Sequence, residues 1–354
     1  MKRARYGLMM LAVLAVWTAA GYGETLTVAK SGKQPRVAIA PNGTICVVFG
    51  RGIEIYGSTS TNGGETYSEP AKVGEAPKLM CGVRRGPQVA ATRDALVVTA
   101  IGEAGNIVCR RSEDWGRTWS DGAKVNDQDR SAREGLHAIC AGAQNDVFAA
   151  WLDLRDNKTK LFGSLSKDGG KTWSKNTLIY ESPGGTICQC CQPSVASDRK
   201  GTYYAMWRNA LTGNRDMWMA TSSDGKTFQR PQKLGAGSWP LEMCPMDGGA
   251  VAAGAGGKAV TVWRRDKQVY SCVSGAKEIA IGEGSQPQLA VTKDGVFKVW
   301  QQKGEVFCLR PGASAAVALG HGGYASVASD PAGSGPVIAV WEDHGGIVGA
   351  VVER

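Results

Sequence analysis

Ser112-Glu113-Asp114-Trp115-Gly116-Arg117-Thr118-Trp119 and Ser166-Lys167-Asp168-Gly169-Gly170-Lys171-Thr172-Trp173 follow one pattern, Ser-x-Asp-x-Gly-x-Thr-Trp. Two looser copies flank them: Ser60-Thr61-Asn62-Gly63-Gly64-Glu65-Thr66-Tyr67 and, one residue shorter, Ser222-Ser223-Asp224-Gly225-Lys226-Thr227-Phe228. Their starts lie 52, 54 and 56 residues apart. Such a box closes a hairpin on itself, because Ser and Asp bond nearby backbone groups, Gly supplies a turn with positive φ, and the final aromatic packs beneath. Spaced copies of one unit are the mark of a repeat architecture.

A second repeat runs between the boxes. An apolar stretch, a Gly or Asp turn and another apolar stretch ending in an aromatic recur over 35–49, 87–100, 136–151, 193–207, 246–263, 287–300 and 324–341. The first four copies are each followed by a third strand, a box and a fourth strand, whereas the fifth and sixth have degenerate turns. After the seventh only one strand, 347–352, remains, so residues 25–29 are expected to supply the missing outer strand and close the ring. Four-stranded units in a ring are a β-propeller, so the fold class is all-β with seven blades by this count.

The box resembles the Asp box of the bacterial neuraminidase repeats, and the chain is similar to the sialidase (neuraminidase) superfamily over nearly its whole length. That resemblance implies a six-bladed propeller as the alternative to seven. In that superfamily the box is a structural element and does not touch substrate.

A basic start (Lys2, Arg3, Arg5), an apolar run from Leu8 to Val16 and small residues up to Gly23 read as an export signal over 1–23, leaving 24–354 as one propeller domain. The apolar run is short for a membrane span of about 20 residues, and no later segment is apolar enough to be one. Export places the protein in the periplasm or outside the cell. The 41 Lys and Arg against 32 Asp and Glu give +9, and +6 without the three basic residues of the signal. This suits an acidic glycan or other anionic ligand. The basic residues are scattered singly, which argues against nucleic acid. A monomer is expected.

Propeller geometry places the boxes on one face and, on the other, the residues just before each innermost strand and just after the second. That second face collects Arg36, Arg84, Arg133, Glu134, His137, Tyr324, Asp153, Arg155, Arg208, Arg264 and Glu342 with Cys81, Cys188, Cys190, Cys191, Cys244, Met246 and Asp247. Arginines interspersed with carboxylates make a positive funnel that can hold carboxylates bidentately.

Three chemistries fit this face. The resemblance implies an exo-sialidase type of glycosidase needing no cofactor, in which an arginine triad clamps the sugar carboxylate, a tyrosine with a glutamate partner is the nucleophile, and an aspartate is the acid/base. Tyr324 opens the innermost strand of the last blade as the family's tyrosine does, and Arg264 and Arg36 match two of the arginines, although the family's Arg-Ile-Pro stands here as Pro35-Arg36-Val37. Asp153 as acid/base, Glu134 as partner of Tyr324, and Arg133, Arg155 and Arg208 as further substrate-binding residues are placed by face and chemistry. The second chemistry is a metal site of Cys188, Cys190, Cys191 and Cys244, with Met246, Cys81 and His137 near, whose soft ligands would select zinc or copper. Disulfides among the same cysteines, as an exported protein allows, are its alternative. The third is a non-catalytic propeller binding a glycan or a protein. Cys46, Cys109, Cys140, Cys272 and Cys308 fall inside strands, as buried fillers or strand-to-strand pairs.

Overall fold

The computed structural model describes residues 24–354, and the export signal expected at 1–23 lies outside the described residues. Seven four-stranded antiparallel sheets follow one another along the chain. From the innermost strand outwards, blade 1 comprises Lys33–Ile39, Ile45–Arg51, Glu54–Ser60 and Ala71–Glu75, and blade 2 Gln88–Ala91, Leu96–Ile101, Ile107–Ser112 and Ser120–Asp121. Blade 3 is His137–Ala141, Val147–Asp153, Lys160–Ser166 and Thr177–Tyr180, and blade 4 is Ser194–Ser197, Tyr203–Arg208, Met217–Ser222 and Gln232–Lys233. Blade 5 is Ala250–Ala253, Ala259–Arg265, Gln268–Val273 and Ile279–Glu283, and blade 6 is Ser285–Thr292, Gly295–Gln302, Glu305–Leu309 and Val317–His321. Blade 7 takes Gly323–Ser329, Val337–Asp343 and Gly346–Glu353 from the C-terminus and Leu26–Ala29 from the N-terminus. The ring has seven blades, and the N-terminal strand closes it against Gly346–Glu353. Among the described residues no helix is long and apolar enough to cross a membrane.

Each box folds by its own side chains. In blade 3, Ser166 Oγ bonds Asp168 Oδ1 at 2.8 Å and accepts the Gly170 N–H at 2.8 Å. The Thr172 N–H and hydroxyl then donate to the two oxygens of Asp168 at 2.9 and 2.5 Å. Blade 2 repeats this with Ser112, Asp114 and Thr118. These bonds hold the Asp168 carboxyl below its ordinary value, and they outweigh the burial that acts against them. Asp168→Ala should therefore cost about 1–2 kcal/mol of stability, two net hydrogen bonds' worth, and leave ligand affinity unchanged. Thermal melts beside a binding assay check this, and lost affinity at unchanged stability would overturn the face assignment.

The core is a ring of seams. Six buried apolar clusters each span two neighbouring blades: 7 and 1, 1 and 2, 2 and 3, 3 and 4, 4 and 5, and 6 and 7. In every blade but the second the inner strand pair ends on a buried aromatic, Phe49, Trp151, Trp207, Trp263, Trp300 or Trp341, and all but Trp300 sit in these clusters. Trp341 donates to the His321 carbonyl at 2.7 Å and Trp300 to the Glu283 carbonyl at 2.8 Å, just where the chain crosses between blades. Glycine is required at that crossing. At Gly284, with φ of 147°, a Cβ would lie 2.3 Å from the Trp300 ring. Blades 5 and 6 are joined by a polar contact, in which both oxygens of Asp247 accept the Gln286 N–H at 3.2 and 3.1 Å.

Candidate active site at the channel mouth

The innermost strands of blades 1, 6 and 7 each carry a bulge at the same point, where the pairing skips from Lys33 to Arg36, from Ser285 to Gln288 and from Gly323 to Ser326. The residue inside each bulge has a left-handed backbone without being glycine: Gln34 at φ 54°, Gln286 at 57° and Tyr324 at 54°. Such backbones cost about 1–3 kcal/mol apiece and persist only where the surroundings fix them. Here a side chain from the neighbouring blade fixes each one. Glu342 Oε1 accepts the Gln34 N–H at 2.7 Å, Asp247 accepts that of Gln286, and Gln301 Oε1 accepts that of Tyr324 at 2.7 Å. Arg84, also left-handed at 68°, continues the belt by donating its N–H to Gln34 Oε1 at 2.8 Å.

Inside this belt the arginines turn inward. The buried Arg84 guanidinium donates to Gln286 Oε1 and to the carbonyls of Gln286 and Ala325 at 2.5 to 2.9 Å, and burial lowers its pKa to about 10. Arg36 reaches from blade 1 to Gln192 Oε1 of blade 4 at 2.6 Å, and burial together with the charge of Arg84 weakens its hold on its proton. Arg208, 1 % exposed, gives its donors to the carbonyls of Asp247, Arg215 and Arg264. Asp247, fully buried, has its pKa raised by burial although Arg208, Arg264 and Arg84 oppose this.

Beside this plug a cleft of about 540 Å³ opens over blades 5, 6 and 7. Tyr324, Arg264, Lys267, Glu283, Glu342 and His344 supply its chemistry. Arg264 lies 3.6 Å from Asp247, and the Tyr324 ring centre is 6.0 Å from the Arg84 guanidinium. Glu342 is oriented by a second donor, the Gln34 side-chain amide at 2.8 Å.

Of the residues singled out from the sequence, Tyr324 and Arg264 line this cleft, while Arg36 and Arg208 are buried in the plug as described. The others stand elsewhere. Asp153 is fully buried in blade 3, where it accepts from Trp151 Nε1 at 2.8 Å and from the Arg155 backbone and guanidinium at 2.9 to 3.0 Å. Its pairing with a residue two places on leaves it enclosed, so it does not meet Tyr324 in the cleft. Arg155 completes that pair and stacks over Phe162 at 3.8 Å. Arg133 is exposed and donates to Asn157 at 2.9 Å. Glu134 is half-buried, with its pKa raised by burial, and its carbonyl accepts from Arg85 at 2.7 Å rather than its carboxylate meeting Tyr324. Glu342 and Glu283 are the cleft carboxylates. Glu342 is one of the face residues of the sequence reading, whereas Glu283 ends the outermost strand of blade 5 and reaches the cleft only because the chain crosses there into blade 6.

The four cysteines do converge. Every Sγ of Cys188, Cys190, Cys191 and Cys244 lies within 4.8 Å of the others, and Cys190 and Cys244 are joined as a disulfide. Cys188 is brought down to about 6, chiefly by the hydrogen bond it shares with Cys191, whose own thiol is pushed up by burial and by that partner. Cys81 and His137 are not part of the group. Cys81 faces the Lys33 carbonyl at 3.7 Å, and buried His137 meets Thr99 Oγ1 at 2.9 Å. Cys46, Cys109, Cys140, Cys272 and Cys308 are free thiols.

The BNR repeat-like domain matches this chain over residues 29–180 and 104–255. Its fold is similar to the NanB sialidase of Streptococcus pneumoniae, at 10% identity and a TM-score of 0.57 over 94% of this chain and 70% of that one. It is also similar to an α-L-arabinofuranosidase of Fusarium graminearum, at 12% identity and a TM-score of 0.56 over 94% and 98% of the two chains. A third similar structure is the α-L-arabinanase of Penicillium chrysogenum, at 14% identity and a TM-score of 0.55 over 78% and 92%. No curated protein matches at the sequence level.

Proposed function

The chain belongs to the BNR repeat-like family, and from that premise we propose that it is an exported glycoside hydrolase acting on an acidic sugar in the cleft over blades 5 to 7. The observation that carries this is the convergence of Tyr324, two carboxylates and Arg264 in one cleft on the face away from the boxes. Similar folds bear the names of a sialidase, an arabinanase and an arabinofuranosidase, which supports glycoside hydrolysis on this scaffold. The basic start and apolar run of 1–23 support export.

Glycoside hydrolysis needs a nucleophile or base and an acid flanking the anomeric carbon, and a tyrosine serves as nucleophile in one class. The Tyr324 hydroxyl attacks that carbon, with Glu342 taking its proton. Glu283 protonates the leaving oxygen and afterwards draws a proton from the water that releases the sugar. Arg264 and Lys267 hold the sugar carboxylate.

Chromogenic sialosides, uronides and arabinofuranosides offered to the purified protein separate acidic from neutral sugars. Tyr324→Phe should remove most of the turnover, and Glu342→Gln or Glu283→Gln should lower it by about 10²–10⁴-fold, the usual contribution of a positioned acid or base. Absence of turnover on all three classes would replace the hydrolase with a binding propeller.

A further inference from the structure

Blades 4 and 5 are tied together on the cleft face by sulfur. We infer that Cys188, Cys190, Cys191 and Cys244 form the binding site of one zinc ion, held as a tetrathiolate between the segments that lead into the innermost strands of those two blades. This site goes beyond the hydrolase proposal and does not depend on it.

Geometry supports it first. Four thiolates around zinc at about 2.3 Å place neighbouring sulfurs about 3.8 Å apart. Cys188 Sγ lies 3.4 Å from that of Cys191, 3.5 Å from that of Cys244 and 4.0 Å from that of Cys190. The ion binds the fully reduced chain, in which the Cys190–Cys244 bond has not formed and each of the four thiols gives up its proton to become a ligand. Cys188 and Cys191 also have the two-residue spacing common among structural zinc ligands.

Charge supports it independently. Arg208 is buried at this end of the channel, beside the buried Asp247. Unpaired buried charge is costly. Zinc with four thiolates carries a net −2, which neighbouring arginines favour, whereas a disulfide with two thiols carries none. A cuprous ion on the same ligands would carry −3. Arg208 and Arg215 lie close enough to act electrostatically on Cys188.

The consequence reaches the cleft. Cys191 precedes Gln192, which holds Arg36, and Cys244 lies three residues before Asp247, which fixes the Gln286 bulge and faces Arg264. The ion therefore anchors the wall of the channel mouth.

Protein purified in zinc-containing buffer without reductant or chelator should hold about one zinc per chain. Denatured in chelator, it should then expose ten reactive thiols, where the disulfide form exposes eight. Cys191→Ser and Cys244→Ser should lose the zinc, while Cys81→Ser should keep it. Because buried Cys191→Ser is at risk of not folding, the exposed Cys244 variant and cobalt substitution of the unaltered protein, read as a tetrathiolate ligand-field spectrum, supply further measurements. Eight thiols without metal, copper in place of zinc, or zinc retained in Cys244→Ser would each overturn the assignment.

Discussion

Stability should fall steeply as the pH is lowered below about 6.5, and much of that loss should disappear in His137→Gln. His137 opens the innermost strand of blade 3, where it is buried to 1 % exposure. Its Nε2 is 2.9 Å from Thr99 Oγ1, and its Nδ1 has no hydrogen-bond partner. Burial lowers its pKa from 6.5 to about 3, with the positive charge of Arg36 acting in the same direction, while the Thr99 bond opposes. Between those values the unfolded chain binds a proton that the folded chain refuses. Stability conferred by the neutral imidazole is therefore complete above 6.5 and is lost as the pH falls towards 3. Each pH unit is worth about 1.4 kcal/mol, so this one residue removes up to about 5 kcal/mol across the window. Denaturant titrations at several pH values read the slope, and carboxylate contributions cancel between the protein and the variant. Gln keeps a polar partner for Thr99 but cannot titrate. Equal slopes in the two proteins would mean that the ring is reached by water or moves out on protonation.

The blades were legible because their signals are local. A box is closed within eight residues by its own Ser, Asp and Thr, so its pattern survives in the sequence whatever surrounds it. The strand pairs carry the same regularity, and counting them reached the ring closure through 25–29. The site was less legible, because membership of a face does not say which way a side chain turns. Arg36 and Arg208 stand at the expected end of the channel, yet they point into it and bond an amide and carbonyls. Asp153 looked like an acid/base until its neighbour two residues along took its oxygens. Gln34 and Gln286 of the belt carry no charge, so nothing in their chemistry marks them, although Gln34-Pro35 and Gln286-Pro287 open blades 1 and 6 alike. The dipeptide alone did not mark the bulge, because Gln192-Pro193 leads into blade 4 without one. The convergence of the four cysteines was legible for the same reason as the blades, since each lies just before an innermost strand of adjacent repeats.

Removing residues 25–29 should be the most damaging small change outside the core, because the ring is closed there by pairing rather than by a covalent link. Leu26 pairs with Gly349, Thr27 with Val348 and Ala29 with Ile347, so the deletion leaves a strand of eight residues, Gly346–Glu353, with one side unpaired. Val28 and Ala29 are also buried in the cluster that joins blade 7 to blade 1 through Phe49, Ile338, Val340 and Ile347. Burying a valine is worth about 1.5–3 kcal/mol, and the lost ladder bonds about 0.5–1.5 each. Together these reach about 5 kcal/mol, comparable with the whole stability of many domains. A bare edge beside an uncovered apolar seam also invites pairing between chains. The truncated protein should therefore melt far below the intact one and aggregate as it does so, with light scattering rising at the transition. Val28→Asp separates the two contributions, since it keeps the strand and its backbone pairing while placing a charge in the cluster. It should lower the melting temperature with less aggregation than the deletion. A truncated protein that melts like the intact one would show that blades 7 and 1 hold together without their fourth strand.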